Sequence, residues 1–309
     1  MSSDLENFIV ADENRINMFN IELGSELTDQ VFLVDYQRQK AANEDEIITS
    51  AKFSDKSCMF LYTTSQGKIR LCDLRESSNF LQRPSLEFSV GSSSGSSYFS
   101  QWLDSVSDAT FVPGNENLIC SRNILSTMLW DVRRGVNAHT ADMAGMTTDL
   151  ANTTAPIFKA QVTDYLEHNL VKMVDDGMIE DSFSLDVSPD GKYIATGAYN
   201  KSGHVMDLNA TSNQSVVCKF DQSPGTPVGA LKVYNKKKRL IQAGPSASGT
   251  AQTASKKADL RKRVGLQKWK PLGQHETTHT LAQVYRNCIY LYNGTSSKTA
   301  CSSGKAMML

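Results

Sequence analysis

Thr64-Ser65-Gln66-Gly67-Lys68-Ile69-Arg70-Leu71-Cys72-Asp73-Leu74-Arg75 decides the fold, because its close returns at Thr127-Met128-Leu129-Trp130-Asp131-Val132-Arg133. In both, a turn feeds a short apolar strand that ends on an aspartate. The same cadence recurs at Lys201-Ser202-Gly203-His204-Val205-Met206-Asp207-Leu208, and more faintly at Arg15-Ile16-Asn17-Met18-Phe19-Asn20 and Cys288-Ile289-Tyr290-Leu291-Tyr292-Asn293. Five echoes of one unit mark a repeat protein, in which each unit buries its apolar face against its neighbours.

Outward from these strands the units share one internal order. Ile47 to Phe53, Met59 to Thr64 and Ile69 to Asp73 read as three strands, since apolar and β-branched residues alternate with period two. Ser107 to Phe111, Leu118 to Ser121 and Trp130-Asp131 form a second set, and Ser182 to Val187, Tyr193 to Gly197 and Val205 to Asp207 a third. In the third, Ser188-Pro189-Asp190-Gly191 is a turn with a mechanism: proline presets φ, aspartate bonds the local backbone and glycine takes a positive φ. Three or four strands per unit with a closing Trp-Asp or its substitute describe the blades of a WD-repeat β-propeller, an all-β fold.

The units lie farther apart than the ~40–45 residues of simple WD repeats, so residues 1–299 are expected to carry insertions. Residues 86–102 are rich in Ser and Gly, 135–156 are small and polar, and 236–263 combine Lys236-Lys237-Lys238-Arg239 with Pro, Ser, Gly, Thr and Ala. All three are expected as flexible loops, and 300–309 as a disordered tail. Residues 159–176 are expected as one short helical insertion, with Leu166, Leu170, Val171 and Val174 at helical spacing and Gly177 as a stop.

A half blade around Phe8 and Ile16, three blades and a final partial blade predict an open arc of about four blades, with unpaired sheet edges. The 309 residues are 40% hydrophobic, enough for a core, and the net charge of -1 sets up no global field for nucleic acid or an anionic membrane. Six scattered cysteines, with no Cys-x-x-Cys pair, read as reduced thiols. The N-terminal residues lack the basic start and apolar core of a signal peptide, and no apolar run approaches the ~18 residues of a membrane span. The expectation is a soluble cytoplasmic protein, with the basic cluster at 236–239 as the one feature that would admit it to the nucleus.

Two motifs point toward catalysis. His275-Glu276-Thr277-Thr278-His279 matches His-Glu-x-x-His, in which a helix sets two histidines on one face to hold zinc while the glutamate activates water. A third protein ligand is needed, yet residues 280–309 contain no Asp, Glu or His, and Thr280 to Tyr285 suit a strand. In a strand, positions four apart lie roughly 13 Å from one another, too far to share an ion. Gly91-Ser92-Ser93-Ser94-Gly95 matches a nucleophile elbow, but its low-complexity setting offers no strand-to-helix turn. No cofactor-binding loop is present, and the chain reads as a non-enzyme.

Ile9 to Asn17, Gly67 to Arg75, Tyr98 to Asp108, Val162 to Leu166 and Thr196 to Asn200 together resemble the 55 kDa regulatory B subunit of protein phosphatase 2A, with Arg70-Leu71-Cys72-Asp73-Leu74-Arg75 the most specific match. The resemblance implies a non-catalytic subunit, a seven-bladed propeller that binds the scaffold and catalytic subunits and docks phosphoprotein substrates. It also implies that an acidic groove receives basic stretches of those substrates. The matching position here is Asp12-Glu13, which Asn43-Glu44-Asp45-Glu46 would extend as a rim. Family members begin with about three more blades, including a hairpin region used against the scaffold, so this chain is expected to be N-terminally short. The alternatives are a WD-type interaction scaffold without the phosphatase and, remotely, a zinc hydrolase using His275, Glu276 and His279.

Overall fold

The computed structural model describes residues 6–22, 31–36, 46–54, 58–76, 84–90, 103–135, 155–162, 170–176, 182–199, 202–208, 215–219, 232–233, 267–269, 278–285, 288–295 and 299–308. Five antiparallel sheets follow one another along the chain. They correspond in order to the five repeats read from the sequence, though the expected half blade has three strands and the expected final partial blade four; the fold is all-β and built of WD-type blades. The chain divides into two compact units, residues 1–172 with 179–187, and residues 173–178 with 188–309.

The first unit opens with β1 (Asn7–Ala11), β2 (Arg15–Asn20) and β3 (Val31–Asp35), paired in that order. The second sheet is β4 (Ile48–Phe53), β5 (Met59–Thr64), β6 (Lys68–Asp73) and β7 (Leu86–Ser89). The third is β8 (Val106–Val112), β9 (Asn115–Asn123), β10 (Ser126–Asp131) and β11 (Phe158–Gln161). A short strand, β12 (Leu185–Val187), is the last of this unit. A six-residue helix, α1, covers Leu170–Asp175, with Met173 buried and Val171 exposed.

In the second unit β13 (Tyr193–Ala198), β14 (Ser202–Asp207), β15 (Ser215–Lys219) and β16 (Lys232–Val233) are successive neighbours. So are β17 (Gln267–Trp269), β18 (Thr278–Tyr285), β19 (Cys288–Thr295) and β20 (Thr299–Met308). Among the described residues no helix is long and apolar enough to cross a membrane.

The repeat seen in the sequence is also a repeat of contacts. Asp73 accepts hydrogen bonds from the Arg75 amide at 3.0 Å and Arg75 Nε at 2.9 Å, with Nη2 2.6 Å from Oδ2. Asp131 holds Arg133 in the same way, at 3.0, 2.9 and 2.7 Å. Each clamp turns the chain out of the strand, and each guanidinium pulls its carboxyl below the ordinary aspartate value, chiefly through these hydrogen bonds.

Trp130, which faces Ile119 across the β9–β10 pair, donates from Nε1 to Ser121 Oγ at 2.7 Å. Cys72 and Met206 occupy its place opposite Phe60 and Ile194. Neither carries an N–H to make that bond, so the replacement of tryptophan removes the staple from those two sheets.

Apolar faces fill the gaps between sheets of the first unit. Ile16, Leu33, Val34, Ile48, Phe60, Tyr62 and Cys72 form one core. Leu61, Ile69, Leu71, Phe88, Val106, Ala109, Phe111, Ile119, Met128 and Trp130 form the next. Two tight turns set the strand registers. Gly67 (φ 78°) donates to Thr64 O, and Gly191 (φ 70°) donates to Ser188 O, with Asp190 Oδ1 accepting from the Lys192 amide as the Ser-Pro-Asp-Gly reading expects.

Four expectations need correction or placement. Residues 86–89, expected within a flexible insertion, are β7, because Leu86 and Phe88 pair with Leu71 and Ile69 and Phe88 is buried in the core. Residues 159–161, expected as helix, belong to β11, since the free edge of β10 captures them through pairs such as Thr127 with Ala160. Within 300–309, expected as a disordered tail, residues 300–308 belong to β20, whose backbone pairs with β19 regardless of its polar composition. Residues 91–102, 136–154 and 236–263 lie outside the described residues, as do Leu166 and Gly177.

Candidate docking site at the first hairpin

Asp12 and Glu13 form the tip between β1 and β2. Asp12 shapes it: Oδ1 accepts from the amides of Asn14 (2.8 Å) and Arg15 (2.7 Å), and the Asp12 amide donates to Arg15 O. This is the local backbone capture that suits aspartate to turns. Glu13 contributes its backbone carbonyl, which accepts from the Ile48 amide at 2.8 Å and ties the tip to β4. Tyr36 N likewise donates to Asn14 O. Both acidic residues lie at the surface, on a tip whose backbone is fixed from two sides.

Behind the tip lies a charged cluster that the sequence does not announce. Arg70 on β6 donates from Nε to Glu87 Oε2 (2.8 Å) and from Nη1 to Tyr36 Oη (2.8 Å), and its guanidinium lies 5.8 Å from the Tyr62 ring centroid. Glu46 Oε1 is 3.5 Å from Nη1, an ion-pair distance rather than a hydrogen bond. Burial opposes the charge on Arg70, but Tyr62, Tyr36, Glu46 and Glu87 outweigh it and hold the guanidinium ionised more firmly than usual. The Tyr36 hydroxyl is pushed up to about 12 by burial, against the pull of Arg70.

Glu46, expected on the acidic rim, is instead only 4% exposed. Arg70 sits in a strand with apolar neighbours on both sides, and a buried guanidinium draws a carboxylate inward. The one signal in the sequence is an arginine between Ile69 and Leu71; its partners, 17 to 34 residues away for Glu87 and Tyr36, follow from sheet pairing alone. Residues 43–45 lie outside the described residues. Of the carboxylates expected at this rim, Asp12 and Glu13 are the exposed ones among the described residues.

The catalytic motifs come to little here. Thr278 and His279 start β18, where His279 pairs with Gly294, so the second histidine of His-Glu-x-x-His stands on a strand as its neighbours suggest. His275, Glu276 and residues 91–95 lie outside the described residues. Among the described residues no group of three His, Cys, Asp or Glu is placed to hold a metal ion. Cys72 and Cys120 are buried thiols whose pKa burial drives far upward, the opposite of a nucleophile's environment.

No family model matches the chain. In fold it is similar to Raptor of Chaetomium thermophilum, with a TM-score of 0.50 at 13% identity, over 96% of this chain and 19% of that one. In sequence it is 25% identical over 297 residues to the B-beta isoform of the serine/threonine protein phosphatase 2A 55 kDa regulatory subunit of Arabidopsis thaliana, covering 94% of this chain and 54% of that protein. It is 26% identical over 299 residues to the serine/threonine-protein phosphatase 2A regulatory subunit phr2AB of Dictyostelium discoideum, covering 96% and 56%. The chain thus spans about half the length of the curated relatives it matches. Along nearly all of its own length, this chain is similar to the 55 kDa regulatory B subunits of protein phosphatase 2A.

Proposed function

We propose that this chain is a non-catalytic regulatory subunit of protein phosphatase 2A that selects substrates, engages the scaffold and catalytic subunits, and offers Asp12-Glu13 as a docking point for basic stretches of phosphoproteins. The observation that carries the reading is the similarity to named regulatory subunits along 94–96% of the chain. The hairpin tip supports it physically. Two surface carboxylates on a backbone pinned by Ile48 and Tyr36 meet Lys or Arg side chains without first being ordered. Such a tip contributes charge complementarity and encounter rate more than raw affinity.

The second reading, a WD-type interaction scaffold without the phosphatase, is favoured by the fold, since blades of this kind serve many unrelated binding roles. Affinity capture of the 309-residue chain with purified scaffold and catalytic subunits separates the two. Recovery of a stoichiometric ternary complex with phosphatase activity toward a basic phosphopeptide supports the first. A folded chain that retains neither subunit supports the second.

A further inference from the structure

Three hairpin tips of the first unit are held by one repeated bond. Asn14, Gly67 and Leu125 each stand one residue before a strand, β2, β6 and β10. Tyr36, Val90 and Val162 each stand one residue after a strand, β3, β7 and β11. Tyr36 N donates to Asn14 O, Val90 N to Gly67 O and Val162 N to Leu125 O, at 2.9, 2.9 and 2.8 Å.

The bond repeats, but the side chain beside it does not. Two of the donors are valines, and Val90 packs on the apolar core. At the acidic tip the donor is a tyrosine, whose hydroxyl accepts from Arg70 Nη1 at 2.8 Å. The same Nη1 lies 3.5 Å from Glu46 Oε1. Two residues beyond Glu46, the Ile48 amide donates to Glu13 O at 2.8 Å. Ile47 between them is fixed by Ser65, which accepts from Ile47 N at Oγ (3.1 Å) and donates its own amide to Ile47 O (2.9 Å). Both bonds that pin the acidic tip therefore lead back to one guanidinium, whose Nε is taken up by Glu87.

The next sheet shows the arrangement without the arginine. Arg70 faces Tyr62 and Met128 faces Ser121, so Met128 holds the place of Arg70 there. The tip that approaches this sheet, through Gly67 against Asp104, is Ser65-Gln66-Gly67, which has no carboxylate. Arginine stands behind the tip that carries two.

We propose that Arg70 is the positioning residue of the docking tip: through Tyr36 and Glu46 it holds the two segments whose amides fix Asn14 O and Glu13 O, and so presents Asp12 and Glu13 in one arrangement to a basic stretch of polypeptide. The inference rests on the docking reading of that tip and adds to it a residue that the ligand does not touch. Adjoining carboxylates repel, and a loose tip would have to be ordered on binding, at a loss of affinity. A planar guanidinium serves several acceptors at once in a fixed geometry that lysine does not reproduce.

The test combines amide hydrogen exchange with peptide binding on the full 309-residue chain. Tyr36→Phe cuts one arm and is expected to speed exchange at the amide of residue 36 about tenfold while Ile48 keeps the parent rate. Glu46→Gln weakens the other arm and is expected to do the reverse. Arg70→Met combined with Glu46→Gln borrows the residue of the next sheet and leaves no carboxylate buried beside an absent cation. It is expected to speed both amides and to weaken a Lys/Arg-rich phosphopeptide about fivefold in fluorescence anisotropy. The Val90 amide is the control, because it makes the same bond without the arginine, and a variant that merely destabilises the chain speeds all three together. Equal acceleration at Val90, or none at residues 36 and 48, overturns the proposal. So does undiminished peptide binding by the double variant where Glu13→Lys weakens it. The single variants carry the test by themselves if the double variant does not fold. A parent chain that binds no basic peptide sinks the docking reading instead, and the exchange rates then still decide whether Arg70 holds the tip.

Discussion

Lys52 Nζ on β4 lies 2.8 Å from the Asp108 carboxylate on β8, so the first strands of two sheets are joined by charge as well as by packing. Asp108 is 7% exposed and also accepts from Ser50 Oγ and the Leu185 amide. Asp108→Ala is expected to destabilise the chain by about 2–4 kcal/mol, because it strands a lysine, a hydroxyl and a backbone donor together. Asp108→Asn keeps an acceptor and is expected to cost about half as much. Urea midpoints of the two variants against the parent chain decide, and equal midpoints for parent and Asp108→Ala would show that the strands are held by packing alone.

Gly67 combines a left-handed backbone with a close approach to the segment that leads into β8. Its φ is 78°, and a Cβ there would lie 2.8 Å from Asp104 O. The conformation alone costs an alanine roughly 1–2 kcal/mol, and a backbone carbonyl has little room to retreat. Gly67→Ala is expected to lower the thermal midpoint by several degrees. Gly114, also left-handed at φ 79° but with nothing within 4 Å of a Cβ, is the control in which the steric part is missing.

Thiol chemistry reads out the burial pattern. Cys58 is exposed, while Cys72 and Cys120 are buried and burial holds their thiols protonated at neutral pH. The thiolate is the reactive species, so alkylation of the native chain is expected to label Cys58 at least a hundredfold faster than Cys72 or Cys120. Mass mapping after a short maleimide pulse checks this. Full labelling of Cys120 under native conditions would mean that the third sheet opens readily.

The Asp–Arg clamps predict a pH effect of definite sign. Arg75 and Arg133 depress the carboxyls of Asp73 and Asp131 in the folded state, so their contribution is present above the unfolded aspartate value, ~3.9, and is lost as pH falls through the lower folded values. Both guanidiniums are solvated, which keeps the stability effect small. Side-chain NMR titration is the sensitive measurement. Arg133→Ala is expected to return Asp131 toward the ordinary value and leave Asp73 unchanged, and high salt should shift both less than the substitution shifts one.

How much of this was legible beforehand depends on whether the information is local. The Ser188-to-Gly191 turn is written within four residues, and the structure builds it as the sequence implies; the Asp73-to-Arg75 and Asp131-to-Arg133 clamps are as local, but the sequence shows there only strands that end on an aspartate. β7 and β11 were hidden because Leu86–Ser89 and Phe158–Gln161 are too short to show a period and become strands through the edges of β6 and β10. The Arg70–Glu87–Tyr36 cluster was hidden for a related reason. Its members come from three separate strands or strand ends, and only the pairing register brings them together.

Asp12 and Glu13 share the hairpin tip but differ in what the fold asks of them, which allows docking to be separated from folding. Asp12 Oδ1 holds two backbone amides, so Asp12→Ala is expected to cost about 1 kcal/mol as well as weaken any basic ligand. Glu13 ties the tip through its carbonyl, which every residue has, and its side chain lies at the surface. Glu13→Lys should therefore leave the urea midpoint unchanged while weakening binding of a Lys/Arg-rich phosphopeptide about five- to tenfold at low salt. That loss should shrink as salt screens the surface charge. Fluorescence anisotropy at two ionic strengths makes the comparison. Undiminished peptide binding by Glu13→Lys at low salt would move the docking surface away from this hairpin, because a reversed charge at a true contact cannot be silent there.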